Sequence, residues 1–185
     1  MLLGITGSIG GGKGTVVDYF VKEQGYTHYS VSDYLNTVLE ERGIFIDRDA
    51  QNELANELRA KYEAGPVAAV YEQYIKDGAP ENAIIESQHT PIEVAFLQSK
   101  GAKVIGVTAD PEVRYGRILE RGSVKDHVTK EEFITQQKRE EEGSDDPTKS
   151  NIFAAINAAD FQVTNNTTIE DLYEQLESVV VSVNG

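Results

Sequence analysis

Gly7-Ser8-Ile9-Gly10-Gly11-Gly12-Lys13-Gly14-Thr15 follows a short apolar run, Leu2-Leu3-Gly4-Ile5, and leads into a helix-like segment from Val16 to Val21. Strand, glycine-rich turn and helix, in that order, form the setting that a phosphate-binding loop requires. The glycines let the backbone turn tightly and approach a ligand closely. The N–H groups of the loop and of the helix N-terminus then face an anion together. On this reading Gly10, Gly11, Gly12, Lys13, Gly14 and Thr15 bind the polyphosphate of a nucleoside triphosphate, with Lys13 reaching its outer phosphates.

The strict form of such a loop carries Ser or Thr directly after the lysine, to hold Mg²⁺. Here Gly14 stands in that place and Thr15 follows, so Thr15 is the expected metal-side hydroxyl. Glu86 closes a buried-looking run, Ala83-Ile84-Ile85, and is the expected carboxylate for positioning Mg²⁺ through water.

The chain has 185 residues, a formal charge of −14 and no cysteine. That length suits one domain with one sizeable core. Without cysteine there are no disulfides, no thiolate catalysis and no cysteine-ligated metal, which fits a cytoplasmic protein. The acidic balance disfavours nucleic-acid binding, which relies on Lys and Arg neutralising phosphates. No apolar run approaches membrane-spanning length, and Met1-Leu2-Leu3 leads straight into the first strand, leaving no room for a signal peptide. The three scattered histidines have no zinc-ligand spacing.

Apolar runs alternate with helical patterns, predicting an α/β fold with a parallel sheet and helices on both faces. The expected strands are Leu2–Thr6, Thr27–Val31, Ala83–Glu86, Lys103–Thr108 and Phe161–Thr164. Thr90-Pro91-Ile92-Glu93 combines a capping box with a first-turn proline. Asp110-Pro111-Glu112 opens a helix over Val113–Arg121, Thr129-Lys130-Glu131-Glu132 another through Gln137, and Thr168-Ile169-Glu170-Asp171 the last. Two segments read as insertions in the single domain. Residues 33–78 are mostly helical, with breaks at Gly43 and Gly65-Pro66, and form an acceptor-binding insertion. Residues 122–150 are strongly charged and read as a short lid, of the kind that closes to expel water.

Several side chains are candidates for chemistry. Asp33, just past the second strand, can cap a helix, orient an acceptor hydroxyl, or do both. Arg114, Arg117 and Arg121 recur at helical spacing on one face, and guanidinium groups grip phosphate oxygens bidentately. Arg117 and Arg121 are expected on the transferring phosphoryl group and Arg114 on the donor, with Lys138 and Arg139 able to join on closure. Arg42, Arg48 and Arg59, in the helical insertion, suit an acceptor that bears its own phosphate. His89 follows Gln88 beyond the third strand and can contact the acceptor. Tyr34 and Tyr62 can stack on an acceptor base. Backbone near Asn165 and Asn166, past the last strand, can meet the donor base, since ligands of open parallel sheets bind at the strands' carboxyl ends.

The stretches Gly7–Thr15 with its GKGT ending, Tyr29–Leu35, Ile84–Glu93, Asp110–Arg121 and Asp160–Asn165 together resemble the P-loop nucleoside/nucleotide monophosphate kinase-like family, the branch of adenylate kinases and dephospho-CoA kinases. The resemblance spans nearly the whole chain. It implies a three-layer P-loop kinase fold, a five-stranded parallel sheet in the order 2-3-1-4-5, ATP and Mg²⁺ as phosphoryl source, and a small-molecule acceptor for a monomer or homodimer. The segment from Glu86 to Val94 is similar to one in dephospho-CoA kinase-like proteins, where arginine often stands at His89. The adenylate kinase acceptor motif is matched by Ser30, Asp33 and Leu35, whereas Asn36 replaces its arginine, and the large lid of long adenylate kinases is absent. These departures count against ordinary adenylate kinase activity. Two enzyme readings remain open, a nucleoside-monophosphate-type kinase and a dephospho-CoA kinase. A third is a nucleotide-binding regulatory NTPase in which Gln88 orients water.

Overall fold

The computed structural model describes residues 1–121, 129–142, 146 and 149–184. Five strands, β1 (Leu2–Gly7), β2 (Thr27–Ser30), β3 (Ala83–Gln88), β4 (Lys103–Thr108) and β5 (Phe161–Thr164), form one sheet in the order β2-β3-β1-β4-β5. Every pairing is parallel. The order and direction match the expected P-loop kinase fold. Parallel strands need crossovers that lay helices over both faces, and the described helices do this. Here they are α1 (Lys13–Lys22), α2 (Val31–Glu41), α3 (Arg48–Lys61), α4 (Gly65–Lys76), α5 (Pro91–Ser99), α6 (Pro111–Arg121), α7 (Lys130–Glu142), α8 (Ile152–Asn157) and α9 (Ile169–Asn184).

Each face of the sheet has its own core, because successive strand side chains point to opposite sides. Leu3, Ile5, Ile84, Ile105 and Val107 pack with Val16 and Phe20 of α1 and Leu172 and Leu176 of α9. Leu2, Ala83, Ile85 and Val104 pack on the other face with Leu35 and Leu39 of α2, Leu54 and Leu58 of α3, Val67 and Val70 of α4 and Val94 and Leu97 of α5. The helical insertion α2–α4 is therefore built into the second core. At 25 cal/mol per Å² of apolar surface, each fully buried Leu or Ile contributes about 2 kcal/mol.

Most expected boundaries agree to within a residue, and three differences are instructive. β3 continues past Glu86 to Gln88 through a bulge. Ile5 pairs with Glu86 and Thr6 with Gln88, so Ser87 has no partner on β1. Ser87 takes φ 76° there, a left-handed conformation that a non-glycine residue adopts at a cost. Second, α2 begins at Val31, and its cap is Ser30, whose hydroxyl accepts from the Asp33 N–H at 3.1 Å. Asp33 is a first-turn residue, not the cap. Third, α8 was not expected. Asn151 caps it by accepting from the Ala154 N–H. Of the expected lid over 122–150, residues 122–128, 143–145 and 147–148 lie outside the described residues; within it α7 runs past Gln137 to Glu142.

Candidate active site

The loop from Gly7 to Gly12 joins β1 to α1 at the carboxyl edge of the sheet. Its tight turn closes through the Gly11 N–H donating to the Ser8 carbonyl at 3.1 Å. Gly12 is the helix N-cap with φ 98°, and no side chain caps the helix. The first-turn N–H groups of α1 are thus left to an anion. Glycine is required at Gly10 for a second reason besides its φ of 73°: a Cβ there would lie 2.6 Å from the Arg114 carbonyl oxygen. The loop therefore rests directly on α6. The Lys13 ammonium lies over the loop, donating to the Gly7 carbonyl at 2.7 Å and the Ser8 carbonyl at 3.3 Å.

The α6 arginines diverge despite their helical spacing. Arg114 is buried, its guanidinium 5.3 Å from the Phe133 ring centre, where it links α6 to α7. Arg117 spends two nitrogens on one residue, donating to the Asn165 carbonyl at 2.8 Å and its Oδ1 at 3.1 Å. Arg121 is exposed at the end of the helix. Lys138 is exposed on α7, and the Arg139 side chain lies outside the described residues. Asn165 is nearly buried and returns to the loop, its Nδ2 donating to the Gly11 carbonyl at 3.3 Å.

On the acceptor side, α3, α5 and the end of β3 meet around His89. Arg59 and Glu93 form an ion pair at 2.7 Å with side chains 6% and 1% exposed. The second Glu93 oxygen accepts from the His89 N–H at 2.6 Å and the Thr90 N–H at 3.1 Å, and Thr90 Oγ1 accepts from the Glu93 N–H. The expected capping box is present and carries an additional ion pair. Arg59 Nη1 also reaches the Asn56 side-chain oxygen at 3.1 Å. Burial, then the positive charges of Arg59, Lys13 and Arg48, lower the His89 pKa to about 3. His89 is thus held as a neutral imidazole, near enough to Arg59, Lys13 and Arg48 for their charges to act on it.

Other candidates stand elsewhere. Arg42 grips Glu57 with two nitrogens, at 2.8 and 3.3 Å, on an exposed face that Lys61 shares. Asn36 accepts from the Gln51 amide at 2.6 Å and so joins α2 to α3. Glu86 lies 3.3 Å from His28 Nε2 on β2, and that pairing raises the His28 pKa. Asp33 is exposed on the first turn of α2, near enough to His28 to act on its charge. Gln88 is fully buried, its side-chain amide donating to the Ile85 carbonyl at 2.8 Å and its main-chain carbonyl accepting from the Thr6 hydroxyl. Tyr62 is exposed and Tyr34 half-buried.

The family described as an AAA domain, AAA_18, matches residues 3–143. The chain belongs to it. A UPF0200 protein of Pyrobaculum aerophilum is 27% identical over 98% of this chain and 98% of its own length. The dephospho-CoA kinase of Fusobacterium nucleatum is 25% identical over 96% of this chain and 95% of its own length. Among solved structures, the shikimate kinase of Acinetobacter baumannii in complex with shikimate superposes with a TM-score of 0.63 at 13% identity, covering 98% of this chain and 93% of that one. The family and these folds together give the chain a P-loop kinase-type fold.

In this AAA_18 chain three residues have partners or conformations that local sequence patterns do not reveal. Glu93 was recognised as a cap but not as the partner of Arg59. His28 was not singled out, and nothing in a lone edge-strand histidine marks it. The expected third strand stops at Glu86, and only the paired register reveals the bulge at Ser87. No helix among the described residues is long and apolar enough to cross a membrane.

Proposed function

We propose that this protein transfers the γ-phosphoryl group of ATP to a small, phosphorylated, nucleotide-like acceptor. The carrying observation is the glycine loop between β1 and α1, whose helix has no side-chain cap and over which the Lys13 ammonium is held by the Gly7 and Ser8 carbonyls. Phosphoryl transfer depends on positioning and on neutralising charge. The loop N–H groups and Lys13 hold the donor tail, and Arg48, beside an Arg59 already paired with Glu93, suits an anionic group on the acceptor. Asp33, exposed at the strand ends, orients the acceptor or takes its proton. Arg121, exposed at the end of α6, is the arginine proposed to meet the transferring phosphoryl group.

The loop fits a Mg²⁺-bound triphosphate in one respect. Glycine at Gly10 and Gly12 lets the loop pack against the Arg114 backbone and the Asn165 amide, where a Cβ would collide, and Thr15 on the first turn of α1 supplies a hydroxyl. When bound, Mg²⁺ supplies charge neutralisation on the donor phosphates. Glu86, paired with His28, would help hold the metal through water.

A dephospho-CoA kinase is the second reading, favoured by the relative from Fusobacterium nucleatum. It places a ribose hydroxyl, not a phosphate, in line with the donor, and requires Asp33 as base. The regulatory NTPase reading needs Gln88 at the nucleotide, and burial of Gln88 against Ile85 counts against it.

A turnover panel tests the proposal. ATP should be consumed with one class of acceptor among nucleoside monophosphates and dephospho-CoA, and idle without it. Equal slow hydrolysis with every acceptor would overturn the transferase reading. Asp33→Asn should cut transfer by about 10²-fold or more while sparing ATP binding; an unchanged rate would leave Asp33 a helix-turn residue only.

A further inference from the structure

We infer that Arg117 and Asn165 form a clamp that fixes one peptide of the phosphate loop, so that Arg117 is a positioning residue acting through Asn165 and not a phosphate contact. The inference rests on the phosphate-loop part of the proposed function. Asn165 makes four hydrogen bonds. Its N–H donates to the Thr108 carbonyl at 2.8 Å, which continues the β4–β5 pairing. Its carbonyl and Oδ1 accept from the two Arg117 nitrogens at 2.8 and 3.1 Å. Its Nδ2 donates to the Gly11 carbonyl at 3.3 Å. Because Oδ1 is held by Arg117, the amide cannot flip, and Nδ2 is committed to the loop.

The contact is tight as well as polar. A Cβ on Gly12 would run into the Asn165 amide. Glycine is therefore needed at Gly12 for this packing as much as for its φ of 98°. In a planar trans peptide the C=O and N–H point in opposite directions. Holding the Gly11 carbonyl toward Asn165 turns the Gly12 N–H to the opposite side of that peptide, away from the clamp. That N–H stands at the N-cap of α1, among the donors left without a side-chain cap. The clamp thus sets the direction of one donor in the anion cradle. Rotating the peptide would turn a carbonyl oxygen toward the phosphates in its place.

The planar guanidinium matters here for its fork, which engages two oxygens of one residue. Lysine at the same position keeps the charge and loses that geometry. The spans involved are long, 48 residues from Arg117 to Asn165 and 154 from Asn165 to Gly11. The last strand's loop is thereby coupled to the first turn of the fold.

Binding of Mg-ATP and of Mg-tripolyphosphate, which lacks the nucleoside, tests this by calorimetry on the full chain. Asn165→Asp removes the donor to Gly11 and keeps acceptors for Arg117. It should weaken both ligands by about tenfold, the scale of one lost hydrogen bond at a committed group. Arg117→Ala should do the same, Arg117→Lys should recover little, and Arg117→Ala combined with Asn165→Ala should lose no more than either alone. Loss for ATP with unchanged tripolyphosphate binding would place both residues at the base and overturn the clamp. Full rescue by Arg117→Lys, or losses that multiply in the double variant, would make Arg117 a direct phosphate contact and also overturn it. Tripolyphosphate affinity that merely follows the fall in each variant's melting temperature would reduce the pair to general stability. If the wild-type chain binds neither ligand, the phosphate-loop reading fails first and the clamp with it.

Discussion

Lys13→Ala removes an ammonium that the Gly7 and Ser8 carbonyls hold over the loop. Triphosphate affinity should fall by at least 10²-fold by calorimetry, and transfer should disappear, because the charge on the outer phosphates loses its partner. Gly14 invites the opposite change. A Cβ there meets nothing within 4 Å, and α1 has already begun, so Gly14→Ser should raise stability by about 0.5 kcal/mol in chemical denaturation. The two histidines set opposite pH slopes. His89 is depressed from 6.5 to about 3 by burial and the surrounding cations. Above pH 6.5 it is neutral folded and unfolded, and its contribution is complete; as pH falls from 6.5 toward 3 the unfolded chain takes up the proton first and stability is lost. His28 is raised above 6.5 by Glu86, so its contribution is complete below pH 6.5 and is lost as pH rises through the elevated value. Denaturation midpoints against pH should show the acid slope shrink in His89→Asn and the alkaline slope shrink in His28→Asn. Slopes unchanged from wild type would mean that these rings titrate normally.

At the scale of elements, the junction of α3 with α5 is held by the Arg59–Glu93 pair. Breaking a buried pair leaves a charge behind, so Arg59→Ala should cost about 3 kcal/mol or more, read as a lower denaturant midpoint at constant slope. Arg42→Ala, at an exposed pair that solvent screens, should move the midpoint far less. That contrast would fail if the two variants melted together. The bulge at the end of β3 makes a backbone prediction. Ser87→Val puts a β-branched side chain at φ 76° and should destabilise by about 1–3 kcal/mol, whereas Ser87→Gly should not. The bulge also explains why a run that looked finished at Glu86 continues. Thr6 takes the Gln88 carbonyl at 2.6 Å, which ends β3 beside the phosphate loop and starts α5 three residues later.

For the molecule as a whole, a net charge of −14 surrounds a site that must attract polyphosphate. The positive charges of Lys13, Arg48 and Arg59 act together on His89 just past β3. Self-repulsion of the acidic surface is screened by salt, so the melting temperature should rise with added sodium chloride while ATP binding weakens. A melting temperature that falls with salt would show that attractive pairs outweigh the repulsion.

Much of this was determined by the sequence itself. The glycine turn, its lysine, the alternation of apolar runs with capped helices and the Thr90–Glu93 box are patterns of neighbours. Backbone geometry and local hydrogen bonding act over a few residues, so they can be read along the chain. The tertiary structure decided who pairs with whom. Arg114, Arg117 and Arg121 share one helical face, yet one packs on an aromatic ring, one clamps Asn165 and one is exposed. Arg59 was one of three similar arginines until its contact with Glu93, 34 residues away, separated it from Arg42. Glu86 turned to His28 because the two strands lie side by side in the sheet. Long-range partners are set by burial, which penalises any charge left without one, and burial does not exist until the chain has folded.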